Sequence, residues 1–115
     1  KKMTLKNLKF KQGSAEFLES SLTSLKLLLD FLILNEEVKI EIRGHVNSSL
    51  EESSNKVQKL SENRAKNTYI YLVENGVEKE RLIYKGLGNT EMVYPDPVNT
   101  SQECANRRVE FIIID

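Results

Sequence analysis

The chain has 115 residues, of which 39% are hydrophobic and 30% are charged. This balance is typical of a globular protein, and the length predicts a single domain over residues 1–115. Lysine and arginine together number 17, as do aspartate and glutamate, so the formal net charge is zero. Because a neutral chain has no long-range positive field that attracts phosphates, the composition argues against nucleic-acid binding.

The sequence contains no segment that would insert into a membrane as a helix. No apolar run reaches the ~20 residues that span a bilayer, and the first five residues, KKMTL, lack the apolar stretch of a signal peptide. If the protein is exported, its signal or anchor is therefore expected upstream of this chain. The single cysteine excludes an internal disulfide.

The first half of the chain predicts a strand, a helix and a second strand. Residues 3–10 alternate between apolar and polar with one shift, which predicts a strand with a bulge near Asn7. Leucines spaced by three and four from residue 18 to 32 predict a helix that ends near residue 35. Strict alternation over residues 38–43 predicts a half-buried strand, which Gly44 ends.

The second half begins with a polar loop over about residues 45–54. A second helix is predicted from about Lys56 to Asn75, because apolar residues recur on one side of it. Gly76 follows where a glycine in the left-handed conformation would end that helix.

Two further strands complete the predicted fold, over residues 82–87 and 109–114. The intervening residues 89–105 are polar and contain two prolines, which predicts an irregular loop. The resulting order is β-α-β-α-β-β. It predicts an α/β (α+β) two-layer sandwich, with a mixed four-stranded sheet and both helices packed on one face.

The sequence offers few residues for catalysis or metal binding. It has one histidine, His45, and one cysteine, Cys104, and neither has a second metal-ligand residue at a suitable spacing. A small hydrolase that uses these two residues is the weakest alternative, since a lone cysteine is usually an inert packed thiol. No cofactor, metal site or enzymatic activity is predicted.

Two clusters of polar residues are better placed to bind a ligand. The first combines the exit of the second strand, residues 44–47, with residues 60–65 of the following helix, because these regions adjoin in a β-α unit. Arg64 is expected to lean toward that strand exit. The second cluster is residues 106–109, where consecutive arginines point to opposite faces of the last strand. An exposed ion pair is the plainer interpretation of each arginine.

Four stretches in this order give the chain a family resemblance: residues 8–15 (LKFKQGSA), 40–45 (IEIRGH), 60–65 (LSENRA) and 106–110 (NRRVE). Together they resemble the OmpA-like domain, the peptidoglycan-binding module of outer-membrane protein A, peptidoglycan-associated lipoprotein and flagellar stator proteins. Between them, Gly76, Arg81 and Gly86 also fall in family order. The likeness covers nearly the whole chain.

The resemblance implies a function in the cell envelope. It implies a non-catalytic domain that anchors an outer-membrane or periplasmic protein to the cell wall by gripping meso-diaminopimelate of the peptidoglycan stem peptide. The expected location is the periplasm of a Gram-negative-type bacterium, in association with the outer membrane. A membrane anchor or barrel is expected outside this chain, and a homo-oligomer is left open.

The same resemblance implies roles for individual residues. Arg64 corresponds to the family's carboxylate-binding arginine, and Arg107 to an arginine that lines the pocket. Asn47 stands where the family has an aspartate that holds the ligand ammonium. The family's helical asparagine is replaced by Val57, although Asn55 lies nearby in the sequence.

The loss of the aspartate leaves two alternatives. In the first, Glu51 or Glu52 in the lengthened loop supplies the negative charge that Asn47 lacks, although both are equally well read as solvated loop charges. In the second, the chain is a degenerate OmpA-like domain that serves as a protein-interaction or assembly module without wall binding.

Overall fold

The computed structural model describes residues 2–10, 14–47, 54–90, 92–106 and 108–114. Its elements are, in chain order, β1 (Lys2–Lys9), α1 (Ser21–Leu34), β2 (Lys39–Gly44), α2 (Ser54–Glu74), a 3-10 turn (Lys79–Arg81), β3 (Leu82–Gly86), α3 (Thr100–Asn106) and β4 (Arg108–Ile114). The mixed α+β class expected from the sequence is confirmed. Within the described residues, no helix combines the length and the apolar character that crossing a membrane requires.

The strands form one sheet in the order β1-β4-β2-β3. Strands β2 and β3 are parallel, and β4 lies antiparallel to both β2 and β1. The register between β1 and β4 shifts between Thr4 and Lys9, so the predicted irregularity in the first strand is confirmed. Since β4 is central, it brings the second sequence cluster beside the carboxyl end of β2.

A single apolar core joins the helices to the sheet. Buried leucines of α1 meet Ala65 and Leu72 of α2 and alternate residues of β2 and β4. On β2 these inward residues are Ile40 and Ile42, whereas the intervening Glu41 is partly exposed. Both helices therefore cover the same face of the central strands. Leu22 departs from the predicted helical stripe, because half of its surface is exposed.

Helix α2 approaches β2 and β3 unusually closely at two glycines. A Cβ atom on Gly44 would clash with the backbone carbonyl oxygen of Ser61, and one on Gly86 would clash with the Ser61 hydroxyl. The Ser61 hydroxyl also accepts a hydrogen bond of 2.9 Å from the Gly88 amide. The side chain of Gln58 donates to the Gly86 carbonyl at 2.7 Å. These contacts fix α2 over the carboxyl ends of both parallel strands.

The predicted end of α2 at Gly76 is confirmed. Gly76 adopts a φ of 107°, which is the left-handed conformation expected of a helix-ending glycine. Its amide donates to the Val73 carbonyl and the amide of Val77 to the Leu72 carbonyl, which is the paired pattern of a Schellman motif.

The prediction of an irregular loop over residues 89–105 is wrong at its end, because residues from Thr100 onward form α3. The side chain of Asn99 accepts a hydrogen bond from the Gln102 amide, and the side chain of Gln102 accepts one from the Val98 amide. These two side-chain acceptors cap the start of a helix directly after the prolines. Helix α3 then delivers Asn106 to the start of β4.

We expect Gly44→Ala to lower the free energy of unfolding by about 2–3 kcal/mol, because the new methyl group must displace the α2 backbone. Gly76→Ala is the matched control. Its site has no atom within 4 Å, so only the left-handed φ is strained, at about 1 kcal/mol. Urea denaturation of both variants measures the difference, and equal losses would contradict the close-approach constraint.

Candidate functional site

The candidate site lies where β2 and β3 end beneath α2. We define the strand exit as residues 44–47, which begin at Gly44, the residue of β2 in the last pair between these strands, Gly44 and Gly86. Beyond this pair, the Val46 amide donates a hydrogen bond to the Gly88 carbonyl at 3.0 Å. The exit is thus held between α2 and the loop after β3, at the edge where open sheets commonly bind ligands.

Arg64 projects from α2 to this strand exit, in agreement with the sequence expectation. Its Nη1 donates to the His45 carbonyl at 3.0 Å, and its Nε donates to the Ser14 carbonyl at 2.9 Å. The guanidinium also lies over the Phe10 ring, 5.2 Å from the ring centre. Only 1% of the residue's surface is exposed. Two backbone carbonyls and an aromatic ring therefore fix the orientation of a well-shielded cation.

The segment that follows the first strand is tied to α2 by a second contact. Asn67, three residues after Arg64, donates from its side chain to the Ala15 carbonyl at 2.9 Å. Phe17 then packs on Phe10 with 4.9 Å between ring centres. Because both carbonyls bonded by α2 belong to adjacent residues, this segment forms one wall beside Arg64.

The Asn47 side chain is hydrogen-bonded to Asn106, which lies 59 residues later in the sequence. Its side-chain oxygen accepts a hydrogen bond of 2.8 Å from Nδ2 of Asn106, which is fully buried. Asn106 also bonds both backbone polar groups of Tyr94: Nδ2 donates to the carbonyl at 2.8 Å, and Oδ1 accepts from the amide at 2.9 Å. One buried amide therefore joins the strand exit to the proline-containing loop.

A buried charged network supports the strand exit from the sheet. The His45 ring nitrogen Nε2 lies 2.8 Å from Oε1 of Glu110, and Oε2 of the same carboxylate lies 3.2 Å from Nε of Arg108. Each of the three residues is at most 5% exposed. Because the His45 carbonyl accepts from Arg64, this network holds the acceptor that orients the guanidinium.

Of the remaining predicted ligand contacts, Asn55 lies in the described part of the chain, and its side chain does not approach Arg64. Asn55 is exposed and precedes Arg64 by nine residues, so the two side chains leave opposite sides of α2, roughly 13.5 Å apart along its axis. Val57, seven residues before Arg64, lies on the same side and is buried. Arg107, Glu51 and Glu52 lie outside the described residues.

Sequence reasoning missed the parts played by Asn106, Glu110 and Ser14. Asn106 and Glu110 stand in the NRRVE stretch, where the prediction concentrated on the arginines. Ser14 contributes only its backbone carbonyl, for which no side-chain signal exists.

The described residues contain no group of three or more His, Cys, Asp or Glu residues that could hold a metal ion. His45 is fully buried against Glu110. The side chain of Cys104, its suggested partner in a hydrolase, is outside the described part of the chain.

The fold, the two-glycine approach of α2 and the arginine at the strand exit define an OmpA-like domain. The chain belongs to the OmpA family, whose model matches residues 9–107.

Three solved structures with this fold cover nearly the whole chain. An outer membrane protein from Borrelia burgdorferi B31 is 27% identical with a TM-score of 0.70, over 94% of this chain and 84% of that one. The periplasmic domain of Helicobacter pylori MotB is 21% identical with a TM-score of 0.77, over 97% and 73%. The peptidoglycan-associated lipoprotein of Burkholderia pseudomallei is 18% identical with a TM-score of 0.76, over 98% and 89%.

A curated relative matches over a shorter stretch. The photosystem I P700 chlorophyll a apoprotein A2 of Gloeobacter violaceus is 40% identical over 79 residues, which is 64% of this chain. The chain spans only 9% of the length of that protein.

We expect Glu110→Gln to lower the free energy of unfolding by about 3 kcal/mol, because it removes the buried carboxylate charge that faces the Arg108 cation. Glu41→Gln is the control. Glu41 also pairs with cations, Arg43 and Lys85, but its side chain is more exposed and should contribute less than about 1 kcal/mol. Chemical denaturation measures both values, and similar losses would contradict the role of the buried network.

Proposed function

We propose that the chain is a non-catalytic peptidoglycan-binding domain that anchors an outer-membrane or periplasmic protein to the cell wall. It grips meso-diaminopimelate of the stem peptide through Arg64, with Asn47 beside the amine-bearing end of the ligand. The observation that carries this proposal is the oriented guanidinium at the strand exit. No bond of the ligand is made or broken.

The chemistry of Arg64 suits the distal end of diaminopimelate, which carries a carboxylate and an amine on one carbon. Guanidinium presents five N–H donors in a planar fork that matches a carboxylate. Its bonds to the His45 and Ser14 carbonyls set the plane of the fork. In so shielded a place, an ion pair is stronger than at the surface.

The position of Asn47 relative to Arg64 supports a two-point contact. Asn47 follows His45 by two residues, so their Cα atoms are within about 7 Å of each other. The side chain of Asn47 is partly exposed, whereas that of Arg64 is buried. A ligand whose carboxylate meets Arg64 would thus present its neighbouring amine toward Asn47.

Membership of the OmpA family and the likeness to a peptidoglycan-associated lipoprotein support the wall as partner. The periplasm, in association with an outer membrane, is the proposed location, and a membrane anchor outside this chain is the proposed tether. Arg107, Asn55, Glu51 and Glu52 stay sequence predictions as ligand contacts.

A second candidate is an OmpA-like interaction module without wall binding. Two observations favour it: Arg64 is 1% exposed, and the Asn47 side-chain oxygen is already bonded to Asn106. In this alternative, Arg64 only ties the residue 14 segment to the strand exit.

We expect a stem peptide containing meso-diaminopimelate to bind at least about tenfold more tightly than the matched lysine peptide, which lacks the carboxylate for Arg64. Isothermal titration calorimetry with both peptides measures this ratio. Equal affinities would contradict the proposed grip. If neither peptide nor purified sacculi bind, the interaction module is the better explanation.

We expect Arg64→Gln to weaken binding to sacculi at least about tenfold, because the charge-assisted contact with the ligand is lost. Arg81→Gln is a matched control at the other end of β2. Arg81 is also largely buried, and it donates to the Leu32, Asn35 and Val38 carbonyls. Both variants should be destabilised, as thermal unfolding will show, but only Arg64→Gln should lose wall binding. Equal retention of the two variants on sacculi would contradict the proposed role of Arg64 as the ligand-binding arginine.

A further inference from the structure

The orientation of the Asn106 amide is determined by the backbone around it. Its Oδ1 accepts from the Tyr94 amide at 2.9 Å, while its Nδ2 donates to the Tyr94 carbonyl at 2.8 Å. A backbone amide only donates and a backbone carbonyl only accepts, so reversing the Asn106 side chain would break both bonds. The group that Asn106 turns toward Asn47 is therefore a donor.

This donor determines which end of the Asn47 amide is left for a ligand. Nδ2 of Asn106 donates to Oδ1 of Asn47 at 2.8 Å, so the Asn47 oxygen is directed into the protein. Its Nδ2 has no acceptor within the parts of the chain that the structure describes. Asn47 is also partly exposed, whereas Asn106 is fully buried. Asn47 thus offers the ligand a hydrogen-bond donor.

A donor at this position is poorly matched to an ammonium group. Ammonium has three N–H donors and no acceptor, so it forms no hydrogen bond with Nδ2 of Asn47 and would have to share the Asn47 oxygen with Asn106. Acylation removes the ammonium charge and adds a carbonyl oxygen, which can accept from Nδ2 of Asn47. The carboxylate on the same carbon is unchanged and stays available to Arg64.

We infer that the site selects an amino-acid end with a free carboxylate and an acylated amine, the state of diaminopimelate in cross-linked wall peptides. The inference rests on the proposed function, since it names the form of the ligand that the same site takes. Asn106 is the positioning residue, because it sets the direction of the Asn47 amide without contacting the ligand.

The test uses one stem peptide containing diaminopimelate in two forms, with the distal amine either free or acetylated. We expect the unmodified protein to bind the acetylated form about three- to tenfold more tightly, the range of one neutral hydrogen bond. Asn47→Asp should reverse this preference. Asn106 still donates to one carboxylate oxygen, and the other oxygen then faces the amine with a negative charge.

A second variant acts through Asn106 alone. In Asn106→Asp the buried side chain no longer donates, so the Asn47 amide should turn round and present its oxygen to the ligand. The preference should again move toward the free amine, which a purely structural role for Asn106 would not produce. Thermal unfolding checks both variants, and the isosteric Asn47→Asp decides the test if Asn106→Asp does not fold.

The failures of the inference and of the proposed function are distinguishable. If the unmodified protein prefers the free amine, the inference is overturned and the proposed function stands. Loss of that preference in Glu51→Gln/Glu52→Gln would then assign the ammonium contact to the loop carboxylates. If neither form of the peptide binds, the proposed function fails and the inference fails with it.

Discussion

The close approach of α2 to the ends of β2 and β3 is the constraint on which the candidate site depends. Gly44 and Gly86 leave room for the Ser61 backbone and hydroxyl, and a side chain at either glycine would force the helix outward. Arg64 lies three residues beyond Ser61, so this contact sets how far its side chain reaches. With the helix at this distance, the guanidinium meets the His45 carbonyl at 3.0 Å.

Much of the architecture could be predicted, because it depends on local patterns. Strict alternation identified β2, and the glycine after the second helix marked its end. Helix α3 was not predicted, because the two prolines that precede it indicated an irregular loop over residues 89–105. The signal for it was present in Asn99 and Gln102, whose spacing of three residues is that of a helix-capping pair.

The candidate site could be predicted only in part, because its decisive contacts are distant in sequence. The position of Arg64 beside the strand exit follows from the order of a β-α unit. The direction of the Asn47 amide does not, since it is set by Asn106, 59 residues later, which is itself fixed by the Tyr94 backbone. The family resemblance placed Asn47 at the ligand ammonium, whereas the tertiary contact shows that its oxygen already accepts a hydrogen bond from Asn106.

The shielding of Arg64 has a consequence for the kinetics of any attachment made through it. Because only 1% of Arg64 is exposed, a carboxylate could pair with its guanidinium only after the neighbouring chain, such as the segment at Ser14 and Ala15, moves aside. The association rate would then lie below the diffusion-limited rate, because the form in which Arg64 is accessible would be a minority of the population. After that segment returns, it would exclude water from the ion pair between Arg64 and the ligand carboxylate, so the ligand would also dissociate slowly. If the proposed wall contact is made through Arg64, it would therefore change its attachment point rarely.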